Sequence, residues 1–204
     1  RSTLFPYTTL FRSEPLVADF MLGPSGLSWS ELMRTLFSPD QAEPTTSVIV
    51  WDVRLPYAVM AVVVGLGLGL AGAEMQTILA NPLASPFTLG ISSAAAFGAS
   101  LALVLDLSLP WLPADWAVAG NAFVFAILSA LLLDVLARWG GMSGSGMVLV
   151  GIALVFTFNA LVSLMQFIAS AEDLQNLVFW TMGSLSRATW PKVGGITVQI
   201  GRAS

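Results

Sequence analysis

Four long windows without a charged side chain govern what this chain can fold into. Residues 55–73, 75–105, 116–133 and 139–171 contain no Asp, Glu, Lys or Arg, in runs of 19, 31, 18 and 33 residues. A helix that crosses a bilayer needs roughly 20 mostly apolar residues. The composition points the same way: 56% of the 204 residues are apolar and 10% charged, against about 45–50% and about 25% in a soluble domain. The expected fold is all-α, a polytopic membrane helical bundle embedded in a lipid bilayer. A single soluble domain, a disordered tail and a nucleic-acid binder are excluded.

The missing residue types exclude further chemistry. The chain has no His and no Cys, so Ser-His and Cys-His dyads, His/Cys zinc sites, covalent haem attachment and disulfides are all impossible. Lys192 is the only lysine, and no Gly-Lys-Ser/Thr step occurs. A P-loop is therefore absent, and ATP hydrolysis by that route is not available to this chain. No cofactor or resident metal is expected, and an intramembrane enzyme lacks a credible catalytic pair.

Both ends read as foreign to the rest. Residues 3–13 match the translation of a sequencing adapter. Ile200 to Ser204 can be encoded by the reverse complement of that adapter's end. Segments 1–13 and 200–204 are accordingly set aside. Without Arg1, Arg12 and Arg202, five basic residues face twelve acidic ones. Resequencing from source DNA should find neither segment in the native frame; persistence of both in frame would refute this reading.

Charges, prolines and glycines divide what remains. Residues 14–54 form a moderately polar segment. Within it Ser28 to Phe37 reads as a short amphipathic helix, with Ser28 or Ser30 as cap and Glu31 in the first turn. A partial membrane domain follows over 55–199, with about four complete spans and the start of a fifth. The first span is expected at about 56–79, with proline tolerated in its first turn. Pro82 and Pro86 then break the chain. The second span is expected at 87–105 and the third at 116–138. Between them lies a turn whose Trp111 and Trp116 suit a membrane interface. A glycine-serine loop at 140–146 precedes a fourth span at 147–169. Residues 171–180 read as an interfacial helix, and a fifth span begins near Lys192.

The positive-inside rule places the Arg138 side in the cytoplasm. Residues 31–54 and 170–190 then lie outside, and the Asn81–Pro86 break lies inside. Glu74 and Asp134 fall near the ends of their spans, about 28 Å and 27 Å along at 1.5 Å per residue. They read as interfacial rather than proton-carrying, and Arg138 can pair with Asp134 at i+4. The Gly65–Gly69 pair reads as a small-residue packing pattern, far more plausibly than as part of a dinucleotide fingerprint. Asn159, Ser163 and Gln166, at i, i+4 and i+7, share one helix face. They either bond to neighbouring helices or line a wet pathway.

Several runs carry a resemblance: Trp51-Asp52-Val53-Arg54-Leu55-Pro56, Ala71-Gly72-Ala73 with Gln76, Asn81-Pro82-Leu83-Ala84-Ser85-Pro86, and Leu89-Gly90-Ile91-Ser92-Ser93 with Gly98. Leu149 to Ala153 and Phe179 to Ser186 with Trp190 continue it. In this order they resemble the FecCD-type permeases, membrane subunits of ABC importers for iron-siderophore, haem and cobalamin chelates. The resemblance implies a ten-helix subunit paired with a second permease subunit, in the bacterial cytoplasmic membrane. Separate ATP-binding subunits would power it, and a substrate-binding protein would deliver a ferric-siderophore or related metal chelate. It also implies that Arg54 docks the binding protein, with Tyr57 where the family has a second arginine. Asn81 and Leu83 match a cytoplasmic constriction of the pathway. Gly144 and Ser145 match its partner loop, with glycine where a hydroxyl residue can occur. A stand-alone secondary transporter or channel is the alternative. An adjacent ATPase gene and a binding-protein gene would separate the two.

Overall fold

The computed structural model describes residues 28–38, 42–108, 110, 113–185 and 188–203. Segment 1–13, Trp111 and Ser186 lie outside the described residues. Among the described residues all regular structure is helical. The chain divides into two compact units, one of residues 1–66 with 185–204 and one of residues 67–184.

In the first unit, α1 (Trp29–Phe37) begins with a complete capping box. The Ser28 hydroxyl accepts from the Glu31 N–H at 3.3 Å, and the Glu31 carboxylate accepts from the Ser28 N–H at 2.9 Å. Two helix-end donors are satisfied reciprocally. The same bonds to the Ser28 backbone and hydroxyl hold the Glu31 carboxyl below the usual carboxylate range. Its support of the helix is therefore present above the ordinary carboxylate pKa and fades as pH falls through the lowered one. Leu32 and Thr35 are buried, while Phe37 stays exposed.

A short α2 (Pro44–Val48) runs into a π-helical turn (Ile49–Arg54) and then into α3 (Leu55–Ile78). The result is one continuous helical stretch, Pro44–Ile78, with Pro at its start where its missing N–H costs nothing. The unit also holds α8 (Trp190–Ala203), which includes residues 200–203.

The second unit is organised around α4 (Ile91–Leu105). It packs most extensively on α5 (Ala114–Gly140), then on α6 (Gly144–Ile168) and α7 (Ala171–Met182). The α4 face is built from small residues: Ala94, Gly98, Ala99, Ser100 and Ala102 are buried. Such a face lets helix backbones approach where lipid supplies no hydrophobic drive between them. A Cβ on Gly98 would lie 2.6 Å from the Asn121 carbonyl oxygen and 2.8 Å from Phe125 Cβ. Phe97 meets Phe125 edge-on at 5.4 Å and Phe158 at 6.1 Å, so one ring ties α4 to both α5 and α6. The Asn121 side-chain amide donates to the Leu107 carbonyl and closes the connection after α4.

Three stretches are long and apolar enough to cross a membrane: Pro44–Ile78, Trp116–Gly140 and Gly144–Ile168, with mean hydropathy 1.9, 2.1 and 2.3. Leu66, Leu68, Leu70, Phe123, Leu131, Phe156 and Phe167 are among the many large apolar side chains they expose. Apolar exposure on this scale calls for lipid or for apolar protein against it.

Four sequence expectations are corrected. The second span begins at Ile91 rather than Phe87 and is a helix of 15 residues, because the chain first closes a turn through Gly90 at φ +78°. The glycine-serine loop is shorter than 140–146: Ser143 caps α6 by accepting from the Gly146 N–H, so Gly144 and Ser145 form its first turn. The interfacial helix is two residues longer than expected and is capped by Ser170. Gly65 and Gly69 have nothing within 4 Å of a built Cβ among the described residues, so the close packing expected of them is not made there.

A candidate translocation seam between the 79–90 turn and the sixth helix

The break after α3 is an ordered structure. Pro82 and Pro86 prevent a helix, and side chains supply the bonds that a helix would have made. Asn81 Oδ1 accepts from the Leu83 N–H at 2.9 Å, fixing a tight turn at the first proline. The Thr88 hydroxyl donates to the Leu83 carbonyl at 2.9 Å, and the Thr88 N–H donates to Ser85 Oγ at 3.1 Å. Backbone bonds complete the turn: Leu89 N–H to Ser85, Gly90 N–H to Phe87 and Ile91 N–H to the Pro86 carbonyl. Side-chain and backbone bonds thus take the place of helix bonds, and the turn buries Ala84, Leu89 and Gly90 while Leu83 and Phe87 stay exposed.

Two glycines on α6 make this packing possible. A Cβ on Gly144 would fall on the Leu79 carbonyl oxygen, and one on Gly151 would lie 2.6 Å from both Leu89 Cα and the Thr88 carbonyl oxygen. The two are seven residues apart, two turns along one face. At 1.5 Å per residue, the turn therefore follows α6 for about 10 Å from its N-terminus. Ala84, Leu89, Leu133 and Val148 form the buried cluster beneath it, flanked by Met75, Leu79 and Leu154. Leu83, at the tip of the turn, is 70% exposed and Asn81 half-buried. The structure thus brings the Asn81–Leu83 turn against the start of α6, where Gly144 and Ser145 stand. Gly144 makes the close contact, and the Ser145 side chain is exposed. Gly151 carries as much of this packing as Gly144. Sequence reading missed it because a glycine inside an apolar run signals nothing about its partner.

Asn159 and Ser163 are exposed and Gln166 is half-buried. The Ser163 hydroxyl donates to the Asn159 carbonyl of its own helix at 2.9 Å. None of the three side chains bonds to another helix among the described residues. Arg54 ends the π turn and is half-buried, with Tyr57 exposed one turn on. Asp134 accepts from Arg138 at 2.8 Å, the i+4 pair expected from the sequence, and both are exposed. Glu74 is exposed four residues before the end of α3. Both acids therefore lie within two turns of a helix end.

Apolar spans, a non-helical turn packed on α6 and an outward polar stripe define a helical membrane-protein fold. The FecCD transport family matches residues 15–201, and the chain belongs to that family. It is 37% identical over 142 residues to the hemin transport system permease protein HmuU of Yersinia pestis, covering 69% of this chain and 42% of that one. It is 34% identical over 181 residues to the molybdate import system permease protein MolB of Haemophilus influenzae, covering 87% of this chain and 52% of that one. A solved inward-facing structure described as a metal-chelate type ABC transporter superposes with a TM-score of 0.72 at 30% identity. That match covers 97% of this chain and 60% of the other. The chain spans about half the length of the curated relatives it matches.

Proposed function

We propose that this chain is part of a membrane-spanning permease subunit of an ABC importer. In this reading it sits in the bacterial cytoplasmic membrane, pairs with a second permease subunit and is powered by separate ATP-binding subunits. Its cargo is a ferric-siderophore or related metal chelate handed over by a binding protein. The observation that carries the reading is the family match together with the turn at 79–90 seated on α6. The relatives named above move hemin and molybdate, so the choice of a ferric chelate rests on the family resemblance. An uncharged Asn159–Ser163–Gln166 stripe suits a bulky chelate better than a bare cation, which wants carboxylate or carbonyl ligands.

The contact of Gly144 with Leu79 supports the topology. It is the contact expected if the end of α3 and the start of α6 lie on one side of the membrane, with an even number of crossings between them. In this reading α5 crosses and α4 crosses before it, although the 15 residues of α4 span only about 22 Å. In this reading the 85–90 turn, whose Leu89 and Gly90 are buried against α6, adds to the length of the crossing.

Cysteine placed singly at 159, 163 and 166 tests the stripe, since no native thiol interferes. In the assembled permease at least two of the three should react with a small polar thiol reagent. Uniform protection would assign the stripe to helix packing.

Arg54 is read as a docking residue for the binding protein on the outer side. An exposed ion pair contributes about 0–1 kcal/mol, and cutting one partner of a desolvated interfacial pair costs roughly 2–5 kcal/mol. With Tyr57 in place of a second arginine, the smaller figure applies. Arg54→Glu should weaken binding-protein association at low salt without lowering membrane abundance, and a Glu→Arg change on the binding protein should restore part of it. Unchanged association at low salt would leave Arg54 as an interfacial anchor.

A further inference from the structure

The π turn before α3 contains a carbonyl that its own helix cannot satisfy. The Leu55 N–H donates to the Val50 carbonyl, five residues back. In an α-helix that N–H would have gone to the Trp51 carbonyl. In π register the Trp51 carbonyl should instead receive the N–H of residue 56, but residue 56 is proline and has none. The donor that reaches it comes from 139 residues away. The Trp190 indole Nε1–H, at the first residue of α8, donates to the Trp51 carbonyl at 3.0 Å. The Trp51 indole Nε1–H in turn donates to the Thr35 carbonyl of α1 at 3.2 Å. Val50 and Pro56, on either side of this carbonyl, are fully buried.

We propose that Trp190 is a latch that holds the outer end of α3 in π register and, through Trp51, holds α1 in place. Single π turns inside α-helices recur at functional positions because they can convert to α register. When the indole donor is withdrawn, the arrangement that best satisfies the backbone is α register. Leu55 N–H then returns to the Trp51 carbonyl. The carbonyl left without a donor moves to Asp52, whose surroundings are exposed. Everything before the turn, including α1, rotates by about one residue, roughly 100° about the helix axis. A movement of the α8 N-terminus is thereby converted into a rotation of the segment that precedes α3. The inference stands whether or not Arg54 docks a partner.

The test separates the N–H from the ring. Val50→Cys is placed in the full chain in detergent or lipid, with Ala99→Cys, buried in the second unit, as a control. Trp190 is then replaced by phenylalanine or by benzothienylalanine, an isostere of tryptophan that lacks the N–H. Both replacements should raise the reactivity of the thiol at 50 by roughly fivefold or more, the factor carried by one net hydrogen bond, and leave the thiol at 99 protected. If benzothienylalanine leaves position 50 protected, ring packing holds the turn and the latch is refuted. An equal rise at 99 would mean general loosening, which also refutes it.

Discussion

Gly144→Ala is expected to destabilise the chain by about 2 kcal/mol or more, within the range seen when a packed contact is overfilled. The substitution should help the isolated helix, since alanine is favoured over glycine by about 1 kcal/mol in a helix interior. The new Cβ, however, would fall on the Leu79 carbonyl oxygen. That atom is backbone, held by the last turn of α3, where the Leu79 N–H donates to the Met75 carbonyl and the Asn81 N–H to the Gln76 carbonyl, and it cannot rotate aside as a side chain would. Gly146→Ala provides the contrast two residues further on. Its Cβ would meet Met142 Cβ at 3.4 Å, an ordinary contact with a side chain. That variant should stay within about 0.5 kcal/mol of the parent. Thermal unfolding in one detergent, followed by helical circular dichroism, reads both. Equal midpoints would mean that the turn does not press on α6.

Gly98→Val should have the larger effect, a loss of about 4 kcal/mol or more, at the exceptional end for a single substitution. The branched side chain would meet the Asn121 carbonyl oxygen and the Phe125 ring at once, from positions where even a Cβ is too close. α4 would have to back away from α5, opening the Phe97–Phe125 contact. Gly72→Val, on a helix position with nothing within 4 Å, should leave the midpoint nearly unchanged. Similar midpoints for the two would contradict the packing described for α4.

How much of this was legible beforehand depends on whether the cause is local. Ser28 and Glu31 show their capping box in four consecutive residues, and the structure forms it. The break at Asn81–Pro86 is equally local, because proline forbids helix wherever it sits in an interior. The short loop before α6 misled because glycine and serine read as loop formers. Here Ser143 is a cap and the glycine behind it is required by the Leu79 backbone. The second span was drawn four residues too long because an apolar run looks the same in a helix and in a packed turn. The Trp190–Trp51 bond joins residues 139 apart, and no periodicity announces it. Asn159, Ser163 and Gln166 were found by spacing, but what they face is decided by neighbours that spacing cannot show.

The central claim is that the chain belongs to a pathway driven by ATP hydrolysed on another subunit. The most direct measurement is uptake of a labelled ferric chelate into proteoliposomes. They would hold the permease in its native reading frame with the proposed ATP-binding subunits, and the proposed binding protein would be added outside. The account predicts uptake that requires both ATP inside the vesicle and the binding protein, and that is lost when the P-loop lysine of the ATPase is replaced. Uptake by the permease alone, driven by an ion gradient and indifferent to ATP, would contradict it.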